Sequence, residues 1–494
     1  MRLACQTIGS EELTSTLKPL TATDSHRLGL LTSLDGRQLV ALVLDLKGRT
    51  AGLVRCELDQ CHYSSLTPLI PQAHWFERAL KDLFGITPAG HPRLKSNFVP
   101  EAFEATLAPL RSAGDRGKLA GEPPRDFRFL RVGGEGVYEV PVGPIHAGVI
   151  EPAHFRLSCL GEFICNLELR LGFLHRGVER RLTEVSWPNA RFVAEAASSD
   201  TAAGNALAHA IAMESLLEVE VSPRARHLRT LALEVERIAM HIADIGGLGV
   251  DLGFLGVAAG LSRLRGAAVG LADLLSGSRF MRGYICPGGV TLAEGGRLSQ
   301  LRAQAQKLRR DVRGFVQMFL DNASVQERLT DTGKVSRGLA RDFGLVGVAA
   351  RASGIAYDAR QHFLHGDYPP LAPAPAVERG GDALDRTRVR ARELETSFSI
   401  LEAVLDEEFA GECAVALPQA LPANEAACGI VEAFRGELIH LIFTDARGRI
   451  SRYAIKDPSF NNWTGMAIAA RNNLIADFPV ANKSFALSYS GHDL

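Results

Sequence analysis

The sequence lacks the motifs by which many enzyme classes are recognised. Of its eight cysteines, no two have the C-x-x-C spacing. No G-x-G-x-x-G follows a strand pattern, and no P-loop, H-E-x-x-H or G-x-S-x-G motif occurs. These absences exclude the motif-defined dinucleotide-binding proteins, P-loop NTPases, zincins and α/β-hydrolases. We expect the cysteines to be reduced, small core residues.

An excess of charge and a long apolar run are also absent. The 494 residues include 55 basic and 56 acidic side chains, for a formal net charge of −1, so no global field favours nucleic acid. The longest apolar runs fall far below the ~20 residues of a membrane span. No apolar signal region occupies the N-terminus. We expect a chain that is soluble by itself but could dock on a membrane subunit.

The N-terminal third predicts an α+β domain. Residues 36–59 form two strand patterns around a Lys-Gly turn, and residues 74–86 form an amphipathic helix pattern. Residues 112–127 combine glycine, proline and charge with little apolar content, which indicates a linker. We therefore predict a domain over 1–111, a linker over 112–127 and a second domain over 128–494.

The second domain is predicted to be mainly helical with a small β element. In one helix, from Pro223 to the Gly246-Gly247 pair, apolar residues recur at alternating steps of three and four. A second helix is predicted from about 298 to 320, and a third around 394–405. Residues 429–457 change to period two, which predicts two or three antiparallel strands.

Three polar clusters could carry chemistry. "GPIHAGVIEPAHFRL" (143–157) contains a carboxylate between two imidazoles, which could shuttle protons or simply form a hydrogen-bonded turn. "GFLHRGVERR" (172–181) places His175, Arg176, Glu179 and Arg180 within two predicted helical turns, where an ion network on the helix surface is more common than a functional site. "VEAFRGEL" (431–438) contains Glu432, Arg435 and Glu437, where a buried pair would more often be structural than catalytic.

These clusters, in this order, resemble two known proteins fused end to end. Residues 74–94 resemble the 30-kDa subunit of respiratory complex I. From Gly143 onward the chain resembles the complex I 49-kDa subunit and, more closely, the large subunit of group 4 membrane-bound [NiFe] hydrogenases, of the hydrogenase-4 and formate hydrogenlyase type. The matching segments are the three clusters together with "SRFMRGYICPGG", "ARASGIAYDAR" and "IKDPSF".

The resemblance implies where metal ligands would lie. A [NiFe] large subunit holds nickel with two pairs of cysteine thiolates, which suit such a metal. In this sequence the matching positions hold no cysteine; they are Ser198, Thr201, Ser459 and Asn462. We therefore expect no metal and no Ni–Fe centre in this chain. The best match among the relatives is the energy-converting hydrogenase-related complexes, which lack the nickel cysteines.

The quinone contacts that the complex I resemblance implies are also replaced. The histidine position holds Ile150 and the tyrosine position holds Ser199, so quinone binding would need a rearranged site. The resemblance makes Glu151, with His146 and His154, the candidate proton-handling residues. It places His175, Arg176 and Arg282 at the interface with a small subunit that carries a [4Fe–4S] cluster.

These observations predict the large subunit of a hydrogenase-4/complex I-like complex at the cytoplasmic face of the cell membrane. Its partners would be an iron–sulfur small subunit and membrane antiporter-like subunits, and it would couple redox chemistry or protonation to ion translocation. Two alternatives remain. One is a quinone-reducing subunit, which a quinone-sized apolar tunnel near Ser199 would support. The other is a catalytically silent scaffold, which a fully packed site would favour.

Overall fold

The fold is taken from a computed structural model. It describes residues 1, 3–21, 23, 25–98, 108–111, 127–146, 150–291, 297–363, 368–371, 373–407 and 411–494. The predicted linker 112–127 lies outside the described residues, except for Phe127.

An α+β unit forms the N-terminal part. A sheet with the strand order β1-β4-β3-β2 pairs β1 parallel to β4 and the other strands antiparallel. The predicted strands are β3 and β4, and the predicted helix is α2, which ends where Gly85 adopts a left-handed conformation. The elements are β1 (Ala4–Ile8), α1 (Leu13–Thr21), β2 (His26–Ser33), β3 (Gln38–Asp45), β4 (Thr50–Glu57), β5 (His62–Ser64), α2 (His74–Phe84) and β6 (Thr87–Ala89).

An antiparallel sheet and a helical bundle follow. The sheet β7-β8-β9 contains only the last four residues of the first polar cluster, 154–157, and it lies in a region where the sequence patterns had not indicated strands. The elements are β7 (Val137–Val142), β8 (His154–Leu160), β9 (Phe163–Arg170), α3 (Val178–Glu184), α4 (Ala190–Ala194), α5 (Ala202–Leu217), α6 (Pro223–Asp251), α7 (Leu255–Ser276), β10 (Ile285–Cys286), β11 (Gly289–Val290), α8 (Leu298–Leu320), α9 (Ala323–Leu329), α10 (Arg337–Asp342), α11 (Gly347–Ala352), α12 (Ala359–His362), α13 (Tyr368–Leu371) and α14 (Ala383–Asp406).

The C-terminal part has three antiparallel strands and three helices. The strands confirm the predicted β element, and the helices carry the chain back to the bundle. The elements are β12 (Ala426–Ala433), β13 (Gly436–Thr444), β14 (Ile450–Lys456), α15 (Pro458–Ala469), α16 (Phe478–Phe485) and α17 (Tyr489–His492).

The predicted end of helix α6 is wrong. The helix continues through Gly246 and Gly247 to Asp251. A Cβ atom at Gly246 would lie 3.1 Å from the Cβ of Leu261 on α7, so this glycine serves close packing between two helices instead of ending one. The predicted helices at 298–320 and 394–405 are confirmed as α8 and the second half of α14.

Two packing contacts fix the position of the functional region. Helix α5 lies directly on strand β12, because a Cβ at Gly429 would lie 1.9 Å from the carbonyl oxygen of Ala208. The N-terminal sheet shares one hydrophobic cluster with β12–β14 and α15, and this cluster includes Leu30, Leu42 and Ile439. The two ends of the chain therefore form one continuous core.

Candidate functional site

The loop before helix α5 carries Ser198 and Thr201, the first two of the four positions that the resemblance equates with nickel ligands. We call these four the ligand-equivalent positions. Ser198 and Thr201 are buried, whereas Ser199 between them is exposed. Both buried hydroxyls donate towards Oδ1 of Asp200, Ser198 at 3.4 Å and Thr201 at 3.2 Å. The loop thus directs its hydroxyl groups to a carboxylate of its own.

The second pair of ligand-equivalent positions lies on the first turns of helix α15. Asp457 caps this helix by accepting a hydrogen bond from the backbone N–H of Ser459 at 2.8 Å. The amide of Asn462 makes two bonds to the backbone of Val346, at 3.0 and 3.1 Å. Both Ser459 and Asn462 are buried.

The C-terminal segment joins the two pairs. The Ser488 hydroxyl lies 3.0 Å from Oγ of Ser198, while the Ser488 backbone N–H donates to Oγ of Ser459 at 2.9 Å. The same hydroxyl accepts from the N–H of Gly491 at 2.9 Å and so caps helix α17. One residue of the protein therefore contacts one ligand-equivalent position from each pair.

A salt bridge holds the loop against this segment. Arg435, after strand β12, binds both carboxylate oxygens of Asp200, at 2.6 and 2.7 Å, and also donates to the Ala486 carbonyl oxygen. Burial by itself would raise the pKa of Asp200, but the adjacent guanidinium keeps that pKa below its usual value. The "VEAFRGEL" cluster thus contributes a structural ion pair to the site.

The donors at this site do not fit a nickel–iron centre. Hydroxyl and amide groups replace the four thiolates that the resemblance calls for, and they are engaged in hydrogen bonds with protein groups. Among the residues that the structure describes, no group of three or more histidine, cysteine, aspartate or glutamate side chains could hold a metal ion.

Glu151 lies at the outer edge of the site. Its Oε2 accepts the backbone N–H groups of Tyr489 and Ser490, each at 3.1 Å, at the start of helix α17. Its Oε1 lies 3.4 Å from Oγ of Ser199. The adjacent Ile150 is 40% exposed, so the two quinone-equivalent positions lie on the surface beside this carboxylate.

The two histidines of the first cluster hold its backbone together. Nε2 of His146 bonds to the Ala153 carbonyl oxygen at 2.8 Å, and Nδ1 of His154 bonds to the Gly143 carbonyl oxygen at 3.0 Å. Burial lowers the pKa of His154. Neither histidine has a hydrogen bond to Glu151 among these contacts, so the structure does not directly join the three predicted proton-handling residues.

The predicted interface residues surround the same edge. Arg176 donates to the carbonyl oxygens of Ala196, Ala197 and Ser490, at 3.0, 2.6 and 3.3 Å. Arg282 donates to the carbonyl oxygens of Glu195 and Ser199, the latter at 3.2 Å. His175 stacks on Phe98, with ring centroids 5.2 Å apart. His175 and Arg176 precede helix α3, so they do not share its surface as expected.

A buried carboxylate that the sequence analysis missed lies behind the loop. Glu236 on α6 accepts the backbone N–H groups of Ala203 at 2.7 Å and Gly204 at 3.1 Å. Burial raises the pKa of Glu236 to about 7. Glu236 and Ser199 line the same cavity of about 20 Å³, which is the size of one water molecule.

Comparisons with known proteins agree with this architecture. The model of the respiratory-chain NADH dehydrogenase 30-kDa subunit matches residues 6–117, and that of the 49-kDa subunit matches 251–427 and 418–493. Formate hydrogenlyase subunit 5 of Escherichia coli is 30% identical over 93% of this chain and 82% of its own length. The chain belongs to the family of complex I-related hydrogenase large subunits.

Further relatives of this large subunit carry related names. Hydrogenase-4 component G of Escherichia coli is 29% identical over 88% of the chain and 77% of its own length. A solved chain of the membrane-bound sulfane sulfur reductase, an archaeal respiratory membrane complex, is 27% identical with a TM-score of 0.69. The similarity covers 73% of the present chain and 99% of that chain. The family therefore supplies subunits of membrane-bound respiratory complexes.

No helix within the described ranges of this large subunit has the length and apolar character needed to span a bilayer.

Sequence reasoning missed several residues of the site. Asp200 stands between the two early ligand-equivalent positions, so its location could have drawn attention to it. The sequence analysis named Arg435, but it did not name Asp200, the carboxylate with which Arg435 pairs. Ser488 and Glu236 gave no signal, because their roles depend on two distant segments reaching one loop.

Proposed function

We propose that this chain is the large subunit of a hydrogenase-4/complex I-like complex at the cytoplasmic face of the membrane, without a Ni–Fe centre, where protonation or redox change is coupled to ion translocation. The observation that carries this proposal is the position of Ser488, which bonds to Ser198 and Ser459 together. Protein atoms thus stand between the two halves of the expected ligand set. The sequence resemblance to energy-converting hydrogenase-related complexes, which lack the nickel cysteines, supports the same proposal.

The chemistry of the donors supports the absence of nickel and iron. Alcohol groups stay protonated at neutral pH and bind soft metals poorly, whereas thiolates bind them well. To reach a metal, Ser198 and Ser459 would each have to give up a buried hydrogen bond, and an unsatisfied buried polar group costs roughly 1–3 kcal/mol. These hydrogen bonds therefore stabilise the folded chain without a metal and disfavour the binding of a metal cluster.

Proton handling is supported by a short series of polar groups. Glu151 lies at the surface, Ser199 lies within 3.4 Å of it, and the water-sized cavity joins Ser199 to Glu236. A carboxyl group with a pKa of about 7 is half protonated under physiological conditions. Glu151 is therefore proposed to exchange protons with solvent or a partner, and Glu236 to store one behind the loop.

The face around Glu151 is proposed to bind the iron–sulfur small subunit. Exposed apolar side chains lie within six residues of Glu151, Arg176 or Arg282 in the sequence, namely Ile145, Ile150, Phe173 and Phe280, and the exposed Phe192 lies next to Gly283. Apolar and aromatic groups next to arginine are typical of protein interfaces. A [4Fe–4S] cluster would lie in that partner, and the antiporter-like subunits would complete the complex in the membrane.

Two other functions remain as alternatives. Quinone reduction is favoured by the exposed Ile150 beside Ser199, which offers an apolar rim. The cavity behind Ser199, at about 20 Å³, is far smaller than a quinone headgroup, so partner residues would have to supply the other walls. A silent scaffold is favoured by the packed ligand-equivalent positions, but it gives Glu236 and Glu151 no role.

Metal analysis of the purified native complex tests the first part of the proposal. We expect iron from partner clusters and no nickel. Nickel in stoichiometric amount would overturn the proposal, since other ligands would then have to hold it.

The substitution Glu151→Gln tests the proton function. We expect it to lower proton-coupled activity of the complex at least tenfold, because an amide cannot exchange the proton. Glu139→Gln is the matched control, since Glu139 lies on the nearby strand β7 and pairs with Arg156 at 3.1 Å. Equal activity of the two variants, with the complex intact, would favour the scaffold.

A further inference from the structure

A buried chain of hydrogen bonds lies between helix α5 and the C-terminal sheet. The hydroxyl of Tyr453 on β14 lies 2.8 Å from Nδ1 of His209 on α5 and 2.8 Å from Nδ1 of His440 on β13. Nε2 of His440 lies 3.0 Å from Oδ1 of Asn205, which is also on α5. Each of these four side chains is at most 1% exposed, so the chain is out of reach of solvent.

The chain ends on the loop of the candidate site. Nδ2 of Asn205 donates to the carbonyl oxygen of Thr201 at 2.7 Å, and the same oxygen accepts the backbone N–H of Asn205 at 3.1 Å. Thr201 is the residue at which this loop meets helix α5. A side chain of the helix therefore holds the last residue of the loop.

The Thr201 carbonyl sets the direction of every bond in the chain. A carbonyl oxygen can only accept, so the NH₂ group of Asn205 faces Thr201 and its oxygen faces His440. Nε2 of His440 therefore carries the hydrogen, and Nδ1 of this ring, when neutral, is an acceptor. Tyr453 accordingly donates to His440 and accepts the Nδ1–H of His209.

Nε2 of His209 is the start of this chain. Because Nδ1 of His209 carries the hydrogen, its Nε2 has only a lone pair. No hydrogen bond joins this atom to any group that the structure describes. The first imidazole thus makes one bond of the chain, whereas the imidazole of His440 makes two.

Burial keeps both imidazoles neutral. It lowers the pKa of His209 to about 3, with a smaller contribution from the positive charge of Arg191 on α4. Burial also holds the pKa of His440 well below its usual value and that of Tyr453 well above its own. Each ring therefore has a single hydrogen at physiological pH, as the direction of the chain requires.

We propose that His440 and Tyr453 are positioning residues of the candidate site, which act through Asn205 to hold the Thr201 carbonyl and the loop that ends there. A one-way chain suits this role, because a member that turns leaves two buried groups unpaired. The loop held in this way carries Ser199, whose Oγ lies 3.4 Å from Glu151. The inference rests on the proposed function in taking this loop as the site, but the chain does not depend on proton transfer through Glu151.

Hydrogen exchange of the purified native complex, followed by mass spectrometry over residues 201–206, tests the proposal. His440→Asn removes the donor at Nε2, so exchange in this segment should accelerate about tenfold, as expected for loss of one buried hydrogen bond. His440→Gln can present an amide N–H at the position of Nε2 and should restore slow exchange. Exchange as fast in His440→Gln as in His440→Asn would overturn the proposal.

His209→Asn is the matched control. His209 is an equally buried imidazole at the same distance from the same hydroxyl. Asparagine can present an N–H at the position of Nδ1, and the Nε2 that it removes has no bond to lose. Exchange over 201–206 should therefore stay close to the wild-type rate. Equal acceleration in His209→Asn and His440→Asn would overturn the proposal, since packing alone would make the two variants alike.

Asn205→Ala tests the last link and leaves both histidines and the tyrosine in place. It should accelerate exchange as much as His440→Asn, and the double variant should exchange no faster than either, because both changes break one chain. Additive effects would overturn the proposal. If His440→Asn does not assemble into the complex, an unaltered rate in Asn205→Ala would overturn it alone. Glu151→Gln leaves the chain intact, so lost proton function without faster exchange concerns only the role of Glu151.

Discussion

Replacing Arg435 with methionine is the sharpest test of how the candidate site is held together. Arg435 is 9% exposed and joins the loop before α5 to the C-terminal segment through Asp200 and Ala486. Methionine keeps much of the side-chain volume but removes the charge and the donors. The loop and the segment would then stay joined by the contact between Ser198 and Ser488 and by Arg176, which donates to carbonyl oxygens of both.

The magnitude follows from the burial of the two partners. Removing one member of a buried pair costs about 3–5 kcal/mol. Asp200 is 32% exposed, so water can replace part of the lost contact, and we expect about 2–3 kcal/mol. Because Arg435 holds the pKa of Asp200 low against the effect of burial, this stabilisation is present above the unfolded pKa of aspartate. This stabilisation is lost as the pH falls through the pKa of Asp200 in the folded protein.

Hydrogen exchange measured by mass spectrometry is the suitable assay, since it reports local opening. A loss of 2–3 kcal/mol accelerates exchange in segments 198–204 and 486–491 about 30- to 150-fold. Adding Asp200→Asn should recover part of the loss, because it removes the unpaired charge. Arg449→Met is the control, as Arg449 is 71% exposed and pairs with Asp445. Exchange in Arg435→Met no faster than in this control would refute the reasoning.

Three further predictions concern the same region. Glu236→Gln should flatten the pH dependence of the thermal midpoint. A carboxyl group whose pKa is raised to about 7 destabilises the fold as the pH rises from about 4.3 to 7, and the substitution removes this effect. An unchanged slope of the midpoint against pH would contradict this. Ser488→Ala should accelerate exchange at 488–491 by about tenfold, since the hydroxyl that contacts Ser198 and caps α17 is lost; unaltered protection would show that the hydroxyl contributes little. Trp75→Phe should lower the free energy of unfolding by about 1–2 kcal/mol, because the indole bond to Thr464 (2.7 Å) links the N-terminal unit to α15; equal denaturant midpoints would contradict it.

Local patterns predicted the helices and strands that have one buried face, but they missed the sheet β7-β8-β9. The steps of three and four in α8 and α14 and the alternation in β12–β14 reflect single buried faces, which a short window of sequence reveals. The end of α6 was misjudged because a glycine pair ends a helix in isolation, whereas here Gly246 packs against α7. The helix-propensity penalty of a glycine, about 1 kcal/mol, is smaller than the free energy gained when two helices pack closely.

The candidate site was predictable only in part. The order of the motifs indicated Ser198, Thr201, Ser459 and Asn462 as the positions of the expected nickel ligands. Their hydroxyl and amide side chains already argued against thiolate coordination. His146 and His154 each bond a backbone carbonyl oxygen, as in the hydrogen-bonded turn that the sequence left open beside proton transfer. Their contribution to proton handling stays a prediction.

By itself, the sequence determined the family, the mixed α and β architecture and the absence of cysteine at the four positions that the resemblance equates with nickel ligands, because composition and motif order depend only on the chain. The tertiary structure decided what stands between those positions and which carboxylate lies behind them. Ser488 is 290 residues from Ser198, and Glu236 meets the loop only through the packing of α5 on α6. Contacts across such distances depend on how the helices and sheets pack, and a linear pattern carries no record of that packing.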